Sequence, residues 1–281
     1  MPRKATVRAR GLGAELKELR QRAGLTTRQV GELMNSSTAT VSRIETGQRG
    51  VTSEEVAAMM VIYKANPEER DRLVGLAREV DRPGWWETGD SNLPKQLTAL
   101  IGFEAQATRI TEVAMLGIPG LLQTPEYARA TMEVSGVPAV AAETRVVTRM
   151  GRQTLLNRAD SPQLTVIIDE AALRRPLGGP GVMADQLRHI SEAGQRDNID
   201  IRVVPFSHGG HPAMSGAFSM LEFKKAATIV HLEHLKSSIF VDDPRDVEAF
   251  RSAVAKLEEI ALNRTDSAKF VTDVARSYEE P

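Results

Sequence analysis

The chain of 281 residues contains no cysteine, and aromatic residues make up only 4% of it. The absence of cysteine excludes a disulfide framework, thiolate metal sites and a catalytic thiol. No apolar run approaches the roughly 20 residues that a membrane-spanning helix needs. The start, Met1-Pro2-Arg3-Lys4, is not followed by the apolar stretch of a signal peptide. The expectation is a soluble, cytoplasmic chain with no membrane partner. Net charge is also lacking, since 36 Lys+Arg stand against 37 Asp+Glu for −1 overall. Taken as an average, that balance argues against a nucleic-acid partner. What is present is an apolar fraction of 41%, enough for a real core. The length fits two domains at about 100–200 residues each.

The average hides an asymmetry. The first 50 residues hold ten Lys/Arg (Arg3, Lys4, Arg8, Arg10, Lys17, Arg20, Arg22, Arg28, Arg43, Arg49) and four acids (Glu15, Glu18, Glu32, Glu45). That surplus of +6 leaves −7 on the rest of the chain. Such a split points to a basic binding module joined to an acidic body.

Within the basic segment, Leu12, Leu16 and Leu19 recur at helical spacing, and Gly24 is placed to end that helix. Thr26 with Gln29 makes a capping box for a second helix, whose inward side is read as Val30, Leu33 and Met34. The polar turn Asn35-Ser36-Ser37 leads to a third helix from about Thr38 to Glu45, with Val41 and Ile44 inward and Gly47 as its stop. Thr52 with Glu55 caps a fourth helix using Val56, Met59, Met60 and Ile62, and Asn66-Pro67-Glu68-Glu69 opens a fifth. Short second and third helices joined by a tight turn form a helix-turn-helix arrangement.

The run Glu18-Leu19-Arg20-Gln21-Arg22-Ala23-Gly24-Leu25-Thr26, with Val41-Ser42-Arg43-Ile44-Glu45-Thr46-Gly47 after it, resembles the phage-repressor-like (XRE/Cro) DNA-binding domain. The resemblance implies an internal ion pair between Arg20 and Glu45. It also implies that Thr38, Ala39, Ser42 and Arg43 face the major groove of double-stranded DNA. Arg43 is the first choice for base readout, because a guanidinium can bond guanine O6 and N7 together. Thr27, Arg28, Gln48 and Arg49 are the phosphate candidates; Thr27 stands where the family commonly has a glutamine. Arg3, Lys4, Arg8 and Arg10 read as a flexible basic arm over residues 1–10, adding salt-sensitive affinity. One such module reads only a few base pairs, so a homodimer on a two-fold site is expected.

The helical module occupies residues 11–80, and the Pro/Gly-containing segment 81–92 reads as a linker. Its adjacent Trp85 and Trp86 are either hydrophobic anchors onto the following domain or a ligand or partner surface. Residues 93–281 read as a larger α/β domain. Helices dominate to about Leu156, with Leu97 to Ile110 taken as one helical pattern. Five strand-like runs follow, around Leu164–Ile168, Ile201–Val204, Phe218–Leu221, Ile229–Leu232 and Ile239–Val241. A helix with Met183, Leu187 and Ile190 sits between the first two runs, as in a βαβ crossover. Asp243 caps a helix from Pro244 to about Leu262, and a shorter one follows Ser267. The fold class is therefore α+β multidomain. An all-α helix-turn-helix domain precedes an α/β domain with a mixed sheet of about five strands and flanking helices.

Four segments of this domain carry a second resemblance. They are Pro119-Gly120-Leu121-Leu122-Gln123-Thr124-Pro125-Glu126-Tyr127-Ala128; Arg149-Met150-Gly151-Arg152-Gln153; Asp169-Glu170-Ala171-Ala172-Leu173-Arg174 leading to Gly178-Gly179; and Val204-Pro205-Phe206 with Gly216-Ala217-Phe218. Together they resemble the C-terminal domain of actinobacterial antitoxin-like regulators. The resemblance implies a small acidic partner protein encoded nearby and brings no ligand or catalytic residue; the expectation is that this domain dimerises and receives a signal from a small-molecule effector or from that partner. An alternative it carries is an interaction protein whose main role is to hold that partner.

Catalysis finds no support. His208 with His211 and His231 with His234 (Glu233 between the latter two) lack the zincin spacing of two histidines at i and i+4 on a helix. Gly178-Gly179-Pro180-Gly181 lacks the endings of a phosphate loop, and no Ser lies in a G-x-S-x-G elbow. The expectation is a non-enzymatic DNA-binding transcription regulator with neither metal nor cofactor.

Overall fold

A computed structural model describes residues 7–80, 95–234 and 237–279. Arg3, Lys4, the 81–92 linker and its two tryptophans lie outside the described residues. The chain divides into two compact units, residues 1–106 with 223–227 and residues 107–222 with 228–281. Among the described residues no helix is long and apolar enough to cross a membrane.

The described part of the first unit is helical: α1 (Val7–Arg22), α2 (Thr27–Leu33), α3 (Thr38–Glu45), α4 (Ser53–Ile62), α5 (Pro67–Val80) and α6 (Lys95–Glu104). Local chemistry sets most of the boundaries. Thr26 and Gln29 form a reciprocal capping box, as do Thr52 and Glu55, and Ser37 caps α3 by accepting from the Thr40 amide. Asn66 and Glu69 exchange the same pair of bonds ahead of α5. Each box satisfies two amides that a helix start leaves without an internal acceptor. Gly24 and Gly47 both take φ +69°, the left-handed conformation that terminates a helix.

Leu12, Leu16, Leu19, Val30, Val41, Ile44, Val56, Met59, Met60 and Leu73 fill one core. Two of the expectations need correction here. Leu33 is 64% exposed, because α2 turns Val30, Gly31 and Met34 inward and Leu33 falls off that arc. Arg8 and Arg10 lie inside α1 rather than in an arm, since nothing between Thr6 and Leu12 stops the helix before its first buried residues.

The second unit is built on a six-stranded sheet ordered β3-β2-β1-β4-β5-β6. Its elements are β1 (Arg109–Ala114), α7 (Pro125–Val134), α8 (Ala139–Gln153), β2 (Gln163–Asp169), α9 (Glu170–Arg174), α10 (Pro180–Ala193), β3 (Ile199–Val204), β4 (Phe218–Glu222), β5 (Ile229–His234), β6 (Ser237–Val241), α11 (Pro244–Ile260) and α12 (Arg264–Ser277). β1, β2 and β3 run parallel, with helical crossovers between them; β4, β5 and β6 complete the sheet in antiparallel pairs. In β2, Leu164 and Val166–Ile168 are all buried, the near-continuous apolar run of a central parallel strand. Leu257 and Val254 of α11 pack on Val113, Ile167, Val204 and Phe218.

The sheet has one strand more than the five expected. The helical reading from Leu97 to Ile110 is overturned, because α6 stops at Glu104 and Ile110 belongs to β1. That strand joins the parallel half of the sheet to the antiparallel half. The edge strand β3 is capped from outside: Leu262 donates its amide to Val203 O at 2.8 Å, and the Ser267 hydroxyl accepts from Val203 N at 3.0 Å.

Candidate nucleic-acid interface

α2 and α3 are joined by a turn in which Asn35 takes φ +51° and the Ser36 amide donates to Gly31 O at 2.7 Å. The turn fixes the direction in which α3 leaves α2. Val41 and Ile44 bury one side of α3, and Thr38, Ala39, Ser42 and Arg43 are exposed on the other. Residues 38 and 42, and 39 and 43, stack at i,i+4 spacing, so the four form one patch. Arg43 folds along its own helix, with Nε donating to Ala39 O at 3.3 Å.

The end of α3 is locked to α1. Arg20 Nε donates to Glu45 Oε1 at 2.6 Å and a terminal guanidinium nitrogen donates to Oε2 at 2.9 Å, a two-pronged pair. Its other terminal nitrogen donates to Leu25 O at 2.7 Å, so one side chain ties α1, the loop before α2 and the end of α3 together. The side chains are 11% and 4% exposed. The Glu45 carboxylate holds the Arg20 guanidinium above its ordinary pKa. Below the pair, burial pushes the Tyr63 phenol up, and the charge on Glu45 adds to the effect.

The Tyr63 hydroxyl is buried with no hydrogen-bond partner among the described residues. An unsatisfied buried hydroxyl costs about 1–3 kcal/mol. Tyr63→Phe is therefore expected to leave stability unchanged or raise it by about 1 kcal/mol in urea denaturation. A loss of that size instead would mean that the hydroxyl has a partner in solution.

The phosphate candidates fare differently from one another. Thr27 is the first residue of α2 and half-buried, and Gln48 is exposed beyond α3. Arg28 is exposed, 3.9 Å from Glu32 across one turn, a distance at which an exposed pair contributes little. Arg49 donates to Glu55 at 2.9 Å, the same carboxylate that closes the α4 capping box. That pairing was not foreseen, since nothing in a loop–turn–helix pattern says which way Arg49 will lean. Arg22 is likewise held by Glu69, and Arg72 of α5 pairs with Glu15 of α1.

Sequence reasoning also missed Gly13. A Cβ placed there meets Ile44 O at 2.4 Å and Glu45 O at 2.7 Å. α1 and α3 thus cross backbone to backbone beside the Arg20–Glu45 pair. A glycine inside an otherwise helical run is the one available signal for such an approach.

In the second unit the four segments singled out by sequence meet in pairs. Gln123 of the first donates to Ile118 O at 2.7 Å and accepts from Arg149 of the second at 2.6 Å. Gln153 donates to Gly120 O and Gln123 O, while the Ile118 amide donates to the Tyr127 hydroxyl. Gln186, fully buried on α10, donates to Leu122 O and accepts from the Thr124 amide. Asp169 of the third segment caps α9 and lies 2.9 Å from His211 Nε2, and Glu170 accepts the Phe206 amide of the fourth at 2.7 Å. The first, third and fourth segments lie at or just beyond the carboxyl ends of β1, β2 and β3, the side on which open α/β sheets bind ligands, and the second, at the end of α8, joins them through the Arg149 and Gln153 bonds.

The histidines do not gather. His211 is held by Asp169, His231 is buried and stacked on Phe240 at 4.8 Å, and His234 is exposed. Among the described residues no three His, Cys, Asp or Glu side chains converge as a metal site.

Residues 97–273 match the family described as a domain of unknown function (DUF5753), and residues 11–73 match one described as a helix-turn-helix domain. No curated protein and no solved structure matches the chain.

Proposed function

Because the chain belongs to the family defined by the DUF5753 domain and carries a helix-turn-helix domain before it, we propose that it is a sequence-specific transcriptional regulator of the XRE/Cro type. The helix-turn-helix domain points to a DNA-binding regulator. The observation that carries the sequence-specific reading is the exposed patch Thr38, Ala39, Ser42 and Arg43 on a helix whose far end is clamped by Arg20 and Glu45. A reading helix must be held rigidly, because base contacts tolerate little displacement. Arg43 supplies the two-pronged donor for guanine, Ala39 an apolar contact, and Thr38 and Ser42 short hydrogen bonds. Thr27, Arg28, Gln48 and Arg49 flank that patch as phosphate contacts; Arg49 must exchange its bond to Glu55 for one to DNA. The protein acts as a homodimer on a two-fold operator. Its second unit receives the signal, through a small molecule or a small partner protein, at the loops beyond β1, β2 and β3. No catalytic step is assigned to it.

The test begins with selection of bound sites from genomic DNA and continues with titration of the selected site. Arg43→Ala is expected to weaken binding by about 2 kcal/mol, roughly thirtyfold, and to relax preference at one base pair. Unchanged affinity and preference would remove α3 from the major groove.

A further inference from the structure

Among the described residues, β6 is the outermost strand of its sheet and pairs with β5 alone. Its sequence, Ser237-Ser238-Ile239-Phe240-Val241, contains no charge, proline or glycine, and Ile239 is 55% exposed. Edge strands usually carry a lysine, a proline or a bulge that prevents pairing with another chain. β6 carries none of these. The opposite edge is treated differently, since Leu262 and Ser267 take both outward groups of Val203.

We propose that β6 is the dimerisation edge, pairing antiparallel with β6 of a second copy about Ile239. This rests on the homodimer reading above and supplies its surface. The strand is self-complementary in that register. Ile239 meets its own counterpart as an apolar pair, and on either side of it Ser237 faces Val241 and Ser238 faces Phe240, so at the flanking positions a small side chain lies opposite a large one. Charge agrees with the same direction. Asp242 and Asp243 follow the strand, whereas His234 and, by sequence, Lys236 precede it; Lys236 lies outside the described residues. Antiparallel pairing therefore sets the acidic end of each strand beside the basic end of the other. The contact is isologous, as a two-fold dimer requires. The His231–Phe240 stack, across a paired position of β5 and β6, holds the edge strand in place.

The native chain has no cysteine, which makes a single introduced thiol a clean reporter. Directly opposed residues of antiparallel strands have Cα atoms about 4.5–5.5 Å apart, inside the roughly 4.4–6.8 Å that a disulfide spans. Full-length Ile239→Cys, oxidised at micromolar concentration without DNA, is expected to become almost wholly a covalent dimer. Val140→Cys, on an α8 side chain that is 90% exposed, should stay monomeric under the same conditions. Ile239→Lys sets two like charges together and is expected to weaken the dimer at least tenfold in sedimentation. Mixing it with Ile239→Glu should restore the dimer.

A monomeric wild type, a failure of Ile239→Cys to cross-link, or cross-linking equal to that of Val140→Cys overturns the proposal. An unchanged dimer in Ile239→Lys does the same; circular dichroism confirms that the variant is folded, and if it is not, the cysteine pair decides. Since no DNA is present, failure here leaves the Arg43 reading standing, and failure of Arg43→Ala leaves the strand pairing standing.

Discussion

Gly13→Ala is expected to destabilise the first unit by about 3 kcal/mol, at the upper end of what overpacking costs. A Cβ at that position falls 2.4 Å from Ile44 O and 2.7 Å from Glu45 O, both of them backbone atoms that cannot rotate aside. α1 and α3 must separate instead. Alanine is the better helix former by about 1 kcal/mol, so the clash outweighs the propensity gain. Gly11, on the same helix, has nothing among the described residues within 4 Å of an added Cβ. Gly11→Ala should accordingly stabilise the unit by up to about 1 kcal/mol. Urea denaturation followed by circular dichroism measures both variants, and shifts of the same sign would refute the close crossing. Because the displaced element is α3, Gly13→Ala should also weaken DNA binding while leaving every exposed residue of the patch unchanged.

Glu45→Ala is expected to cost about 3 kcal/mol of stability, at the low end of the range for breaking a buried pair. It leaves the Arg20 guanidinium, 11% exposed, without its two-pronged acceptor. The pair as a whole contributes far less than that, because both charges have been taken out of water. Replacing both residues together, by Arg20→Met with Glu45→Leu, is therefore expected to recover much of the lost stability. DNA affinity should not recover with it, since Arg20 also holds the Leu25 carbonyl and sets the angle of α3 against α1. Parallel recovery of stability and affinity would show that the pair has no positioning role. Denaturation curves and binding isotherms on the single and double variants separate these outcomes.

The features legible in the sequence were those decided within a turn or two of chain. Thr26 with Gln29 and Thr52 with Glu55 are capping boxes because their partners stand three residues apart, and the helices begin where those pairs place them. The β2–α10–β3 crossover was visible through two apolar runs around a helical period, and Asp243 caps α11 at the place it marks. β1 was not legible. Ile110 continues the spacing of the helix before it, and only its own β-branching and that of Thr108, Thr111 and Val113 argue for a strand. Burial between β2 and β4 settles that competition, and it depends on residues far along the chain. Leu33 was misplaced because a helix of seven residues is too short for its period to define a face. In the candidate interface, exposure of Thr38, Ala39, Ser42 and Arg43 follows from the burial of Val41 and Ile44 alone. The bond from Arg49 to Glu55 and the crossing at Gly13 are tertiary facts with no periodic signature.

Ser267 has a consequence beyond bracing the sheet. It is fully buried and, with Leu262, occupies the hydrogen-bonding groups of Val203 that would otherwise receive another strand. A sheet open on both sides can be extended without limit, copy after copy, into a fibre. A sheet plugged on one side cannot. In the β6-paired dimer proposed above, neither member would have a free side to offer a third, and growth would stop at two. The plug at β3 would keep such an assembly finite.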